Sequence, residues 1–442
     1  MQTLAQTWQV LSAFFIQDQG IVPYLLMFVP FVLFLELPLY VISWFGVFRY
    51  TARVSYDTPF APPYTPKVTC AITCYAEGQA VQNTVISLLE QTYSGHIEII
   101  AMVDGVQKNQ ATYQALKELV PHIGRYSQRS LIIIPKIQRG GRVSSLNAGL
   151  SRSTGEIFLA LDGDTSFDNQ MVHRASAHFR NANVVAVTGP MRVRNASASI
   201  VTRLQSLEYM LSMQAGKLGL TEINVINNVP GAFVIFRKSF LQQIGGWNTG
   251  TAEDLDLTLR IKQYQGRHPE LRFEFEPGAV SHTDVPDKLI DFLKQRLRWD
   301  GDLLYIYANK HRLGISASIM GWNNFIFIMW YGILFQIVMP FTIVLYMIYM
   351  IVVLPMPFFL ASMTLVYLFY FCLTLIQFLL YLAVISDRPR KDSSAFLIIP
   401  IYPLFQFAVR LWSALAISNQ ILNKGHLDSA MAPFWVLKKG KQ

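Results

Sequence analysis

The chain has 442 residues, 52% of them hydrophobic and only 15% charged, a balance that suits a membrane protein and not an ordinary soluble one. Its net charge of +9 comes from scattered basic residues without a nucleic-acid motif, so nucleic acid drops out as a partner. Cys70, Cys74 and Cys372 have no His/Cys cluster beside them and read as reduced structural residues, not as a disulfide framework.

The apolar residues are concentrated. No Asp, Glu, Lys or Arg occurs from 313 through 386, whereas 51–312 has the composition of a soluble domain. Residues 1–20 lack Lys and Arg and have neither the basic start nor the cleavage site of a signal peptide. Residues 21–48 are apolar and long enough to span a bilayer. Glu36 interrupts them beside Pro38, and a carboxylate there must face other helices or a polar path. Arg49 and Arg53 follow, so the positive-inside rule puts the amino terminus outside and Thr51 onward in the cytoplasm.

After a Pro-rich linker at 59–66, strand and helix signals alternate: strand 68–75, helix 79–91, strand 97–103, helix 111–120, strand 131–135, helix 143–152, strand 157–161. This rhythm predicts a mostly parallel, doubly wound α/β sheet, which binds ligands at the carboxyl ends of its strands. Glu77, Asp104 and the pair Asp162-Gly163-Asp164 fall at those ends. Two carboxylates one residue apart repel each other and call for a cation or water. In a nucleotide-dependent enzyme that cation is Mg²⁺ or Mn²⁺, shared with substrate phosphates. An Asp-x-Asp by itself also suits a solvated turn; several acidic strand ends together point to one pocket. Arg139-Gly140-Gly141-Arg142 opens a helix and reads alone as a flexible loop, but beside the acidic ends it suits a diphosphate.

A helical stripe runs over 200–217, either core or on the membrane surface. The turn 229–233, with Gly231, is a candidate acceptor-side loop. Glu253, Asp254 and Asp256 open a helix, where acidic residues serve as dipole partners or, in a transferase, as a base for the acceptor hydroxyl. Residues 288–312 form a basic amphipathic stretch with Leu289, Phe292, Leu293 and Leu297 on one face, expected at the membrane interface, and it carries Gln295-Arg296-Leu297-Arg298-Trp299. Spans follow near 324–354 and 358–386. Residues 395–422, with Pro400, Pro403 and Arg410, form either a third crossing or a re-entrant segment. The expected organisation is an N-terminal segment 1–20, a transmembrane helix 21–49, a cytosolic domain 50–284, the amphipathic helix 285–312, transmembrane or re-entrant helices 313–422 and a basic tail 423–442.

With Asp104, Asp162-Gly163-Asp164, Glu253-Asp254 and Gln295-Arg296-Leu297-Arg298-Trp299 in this order, the chain resembles the membrane-embedded family 2 glycosyltransferases, the synthases of cellulose, chitin, hyaluronan and poly-N-acetylglucosamine. The resemblance implies a GT-A (Rossmann-like) cytosolic domain inserted between transmembrane helices, with amphipathic interface helices, in the cell membrane. It also implies a UDP-sugar donor, a growing glycan acceptor, Mg²⁺ or Mn²⁺, and an accessory export subunit. It assigns Glu77 and Asp104 to the uridine, Arg142 to the diphosphate (a position often Lys in the family), and Asp162 and Asp164 to nucleotide and metal. Asp254, beside Glu253, becomes the general base. Gln295, Arg296 and Arg298 hold the diphosphate, and Trp299 frames the acceptor. Ala252 stands where a Thr is common. The pattern leans towards the poly-N-acetylglucosamine and chitin-oligosaccharide synthases. The expected function is a processive, inverting polysaccharide synthase. A non-processive enzyme that glycosylates a membrane lipid and a non-catalytic scaffold or exporter subunit are the alternatives.

Overall fold

The strands predicted at 68–75, 97–103, 131–135 and 157–161 form a continuous parallel run: β1 (Val68–Cys74), β2 (Ile97–Val103), β3 (Arg129–Pro135) and β4 (Ile157–Asp162). The computed structural model describes residues 2–16, 32–56, 64–248 and 252–423. The remaining strands are β5 (Ser166–Phe167), β6 (Val184–Thr188), β7 (Met191–Val193), β8 (Phe233–Arg237), β9 (Arg272–Phe275) and β10 (Ser281–Thr283). A seven-stranded sheet runs β3-β2-β1-β4-β8-β6-β9, and a three-stranded sheet, β5-β10-β7, lies beside it. β8 is antiparallel to both of its neighbours, β4 and β6.

Alternation along the strands fills two apolar layers, as a sheet covered on both faces requires. Cys70, Ile72, Leu159 and Leu161 pack with Val81, Val85, Leu88 and Leu116 on one side. Ala71, Phe158 and Ala160 pack with Val143, Leu146, Leu150 and Leu257 on the other. The chain leaves β1 in one direction to build β2 and β3, then returns to place β4 on the opposite side of β1. The carboxyl ends of β1 and β4, where Thr73 pairs with Asp162, therefore form the switch-point crevice.

The stripe at 200–217 belongs to a helical run, Ile200–Glu208, Tyr209–Gly216 and Lys217–Glu222, opened by a Ser199/Thr202 capping box. It is core: Leu204, Leu207 and Met210 pack against Phe378, Tyr381 and Tyr402 of the apolar helices. The helices Trp322–Val353 and Met356–Val384 are long and apolar enough to cross a membrane. Pro389–Ile398 and Tyr402–Asn423 are bent by 71°, the geometry of a broken span or a re-entrant loop. Of the span expected at 21–49, residues 21–31 lie outside the described residues; Val32–Glu36 and Leu37–Tyr56 are helical. The N-terminal segment, given no element from sequence, contains the helix Gln2–Ile16, which packs along Met356–Val384.

Leu37–Tyr56 seats itself on the α/β domain through two glycines. A Cβ on Gly219 would overlap the Ser43 carbonyl, and one on Gly46 would overlap the Gly219 carbonyl, so the two helix backbones touch. Below this crossing, Arg53 pairs with Glu222 at 2.8 Å and approaches Glu274 at 3.7 Å, while Arg49 lies 3.5 Å from Glu222. The helix Leu289–Leu304 packs along Tyr402–Asn423: Phe292 is buried against Phe405, and the Trp412 indole donates to the Leu293 carbonyl at 2.9 Å.

Candidate active site

One cavity of about 1360 Å³ starts at the β1/β4 crevice and continues between the apolar helices. Its walls carry Glu77, Asp104, Arg142, Asp162, Asp164, Gly231, Glu253, Asp254, Gln295, Arg296, Arg298 and Trp299, but not Asp256. Sequence order spreads these residues over more than two hundred positions; the sheet topology brings them to one place.

Arg142, in the first turn of Gly141–Arg152, sits at the centre. It pairs with Asp162, donates to Glu253 Oε1 at 2.8 Å and Thr73 Oγ1 at 3.0 Å, and donates to the Gly231 carbonyl. One guanidinium thus ties the end of β4, the 231 turn and the start of Glu253–Gln265 together, as its fork of donors allows. Asp104 is more enclosed than its expected uridine role suggests. It is 4% exposed, and its carboxylate accepts from Lys136 Nζ at 2.7 Å and from the backbone N–H groups of Gly140 and Gly141 at 2.9 and 2.8 Å. It therefore also pins the loop that opens the Arg142 helix. Lys136 carries no motif signal; only its contact with Asp104 reveals it.

Among the described residues no three His, Cys, Asp or Glu side chains converge as a ready-made metal cluster. The local chemistry nonetheless fits a hard cation that takes one or two carboxylates and completes its shell with phosphates. Asp164 is exposed to the cavity, and Glu77 Oε2, close to Gly163, is buried without a hydrogen-bond partner among the described residues. Burial, with the nearby Asp164 charge, raises the Glu77 carboxyl above its usual range. Arg194 reaches the same corner: it donates to the Asp164 carbonyl at 2.9 Å and holds Asp284 at 2.7 Å. His282, on β10, has its Nε2 2.9 Å from Asp168 Oδ1.

Asp254 lies one residue into a helix whose preceding residue, Ala252, holds a left-handed φ of 49°. Its Oδ1 accepts from Leu255 N–H at 2.8 Å. Burial, then the adjacent Glu253 charge, raises its carboxyl to about 6. A carboxylate tuned there suits proton abstraction near neutral pH. Its neighbour Asp256 is spent differently. Wholly buried, it binds Lys310 at 2.9 Å, His311 at 2.8 Å and Arg260 at 3.1 Å. Despite burial, these partners depress its carboxyl to about 2. A depressed carboxyl contributes stability above its unfolded value, near 3.8, and loses it as pH falls towards 2; the contribution is about 2 kcal/mol. We expect Asp256→Asn to lower the melting temperature at neutral pH and to flatten the acid side of the stability profile between pH 4 and 2, as read by thermal unfolding across pH.

Further along the cavity, Trp299 is 40% exposed with the Arg296 guanidinium 5.0 Å from its ring centroid. Arg296 is itself held by Glu208 at 2.5 Å, and Asp300 accepts from Ser413 Oγ at 2.6 Å. Gln295 Oε1 is buried without a hydrogen-bond partner among the described residues. Between the apolar helices the wall includes Glu36, Tyr370, Gln377 and Arg410, with Arg410 4.1 Å from the Phe335 ring centroid.

A mixed sheet of this order, with an acidic pair at the crevice, is a GT-A-like glycosyltransferase fold. The description "Glycosyl transferase family group 2" matches residues 157–385, and the chain belongs to that family. Among its curated relatives, a poly-beta-1,6-N-acetyl-D-glucosamine synthase of Staphylococcus epidermidis is 29% identical over 230 residues, 52% of this chain and 52% of that protein. The enzyme of the same name from Staphylococcus aureus strain COL is 28% identical over 260 residues, 57% of this chain and 59% of the relative. The chain thus spans about half the length of the curated relatives it matches. A mannosyltransferase from Pyrobaculum calidifontis, solved in complex with GDP-Man and Mn²⁺, shares the fold with a TM-score of 0.51 and 15% identity, covering 88% of this chain and 98% of that one.

Proposed function

We propose that the protein is an inverting, processive transferase that polymerises a UDP-activated sugar, UDP-N-acetylglucosamine, into a β-linked polysaccharide and passes the product across the membrane. The observation that carries this reading is the single cavity that holds the acidic pair, Asp254 and Trp299 and then runs between helices apolar enough to span a bilayer. The choice of sugar is supported by the names of the curated relatives.

In this reading Asp162 and Asp164 would hold Mg²⁺ or Mn²⁺, whose charge offsets that building on the leaving UDP. Glu77 and Asp104 line the uridine end, where Asp104 orders the surrounding loop. Arg142 and Arg298 face the diphosphate, with Gln295 beside them. Trp299, kept in place through the Arg296 guanidinium, offers its face to the acceptor ring, and the 231 turn borders the same space. Asp254 takes the proton from the acceptor hydroxyl as that oxygen attacks the anomeric carbon. The bond to UDP breaks in the same displacement, so an α-linked donor gives a β-linked product without a covalent intermediate. The cytosolic placement of the domain, the interfacial position of Leu289–Leu304, a multi-pass arrangement and an accessory export subunit belong to the same proposal.

The test is UDP release by the full chain in nanodiscs, with UDP-N-acetylglucosamine, UDP-glucose and UDP-glucuronate offered singly and in pairs with Mg²⁺ or Mn²⁺, and the product sized. We expect high-mass product from UDP-N-acetylglucosamine alone. A single sugar transferred only when lipid is added would replace this reading with that of a glycolipid enzyme.

A further inference from the structure

Lys217 lies on the short helix Lys217–Glu222, two residues before the Gly219 that touches the helix Leu37–Tyr56, and is only 3% exposed. A buried ammonium persists only with partners. Its Nζ donates to the backbone carbonyl of Asn228 at 2.7 Å and to the Asn228 side-chain Oδ1 at 2.9 Å. Because an ammonium can only donate, the amide oxygen must face Lys217 and the amide nitrogen must face away. That nitrogen, Nδ2, points to Asp254 Oδ2 at 3.4 Å. The other carboxylate oxygen is already engaged by the Leu255 N–H. Lys217 and Asn228 both reach the cavity wall beside Asp254.

We propose that Lys217 is a positioning residue for sugar transfer: acting through Asn228, it sets the orientation of Asp254 and holds its carboxylate in the charged form. This rests on the reading of Asp254 as the base. The charged and titratable groups that face Asp254 are Glu253 from its own helix, Arg142 from Gly141–Arg152, Lys217, and the Tyr307 phenol. Glu253 works against ionisation and is paired with Arg142. Lys217 is thus the cation facing Asp254 that does not also serve the acidic pair. Burial lowers Lys217 to about 8, and the Asp254 charge opposes that shift, so the ammonium is retained at neutral pH.

The experiment follows the pH dependence of UDP release by the full chain in nanodiscs for the wild type, Lys217→Met, Lys217→Arg, Asn228→Ala and Asp254→Asn. A base works only when deprotonated, so loss of the nearby positive charge raises its pKa and moves the acidic limb of kcat/KM upward. We expect Lys217→Met and Asn228→Ala to move that limb up by on the order of one pH unit and to lower kcat roughly tenfold, with the donor KM little changed. Lys217→Arg should restore the wild-type limb. If Lys217→Met does not fold, Asn228→Ala carries the same expected shift without removing a buried charge. An acidic limb unmoved in the folded variants overturns the proposal while leaving Asp254 as the base. Wild-type turnover by Asp254→Asn overturns the base reading and this inference with it.

Discussion

Asp254→Asn is expected to reduce UDP release by roughly 10²- to 10⁴-fold, the range for loss of a positioned general base. The side chain keeps its size and its contact with the Leu255 N–H, so the folded protein and donor binding should survive. Loss confined to kcat, with a donor dissociation constant near that of the wild type, marks a group that acts on the acceptor. In the wild type the acidic limb of kcat/KM should fall near pH 6, because burial and the adjacent Glu253 raise the Asp254 carboxyl to about 6. As pH drops through that value the base becomes protonated and turnover falls. A variant with unchanged turnover would move the proton acceptor to another group.

Gly219→Val is expected to unseat the helix Leu37–Tyr56 from the α/β domain. A Cβ there would enter the Ser43 carbonyl, and a backbone atom cannot rotate aside as a side chain can. The displacement also strains the Arg53–Glu222 pair one turn away and moves Lys217 on the same short helix. We expect destabilisation of about 3 kcal/mol or more, read as a lowered melting temperature and a lower folded yield in detergent. Gly124→Ala is the control: its added methyl meets nothing, and its melting temperature should match the wild type. Equal melting temperatures for the two variants would mean that the helix crossing contributes little.

Much of the soluble fold was legible because its signals are local. The runs at 68–75, 97–103 and 157–161 are dense in β-branched and apolar residues, and their observed strands end within a residue of the expected bounds. The helices at 79–91, 111–120 and 143–152 were legible from local signals, whereas Gln2–Ile16, whose support comes from packing along Met356–Val384 hundreds of positions away, was not. The acidic strand ends could be placed in one pocket because a doubly wound sheet collects its carboxyl ends at the switch point. The antiparallel β8 had no such signal. Its residues are as apolar as those of β4 and β6, to which it runs antiparallel, and direction is set by the connections on either side.

By itself the sequence determined the membrane block, the alternation of strands and helices, the acidic and Gln295–Trp299 motifs, and with them the family, because each rests on residue types at short spacing. Only the tertiary structure decided that Arg142 ties Asp162 to Glu253, that Asp104 is held by Lys136 and two backbone N–H groups, that Gly46 and Gly219 touch, and that Lys217 reaches Asp254 through Asn228. The partners in most of these contacts lie tens to nearly two hundred residues apart. Contacts of that kind arise from how sheet and helices pack in three dimensions and leave no periodic trace along the chain.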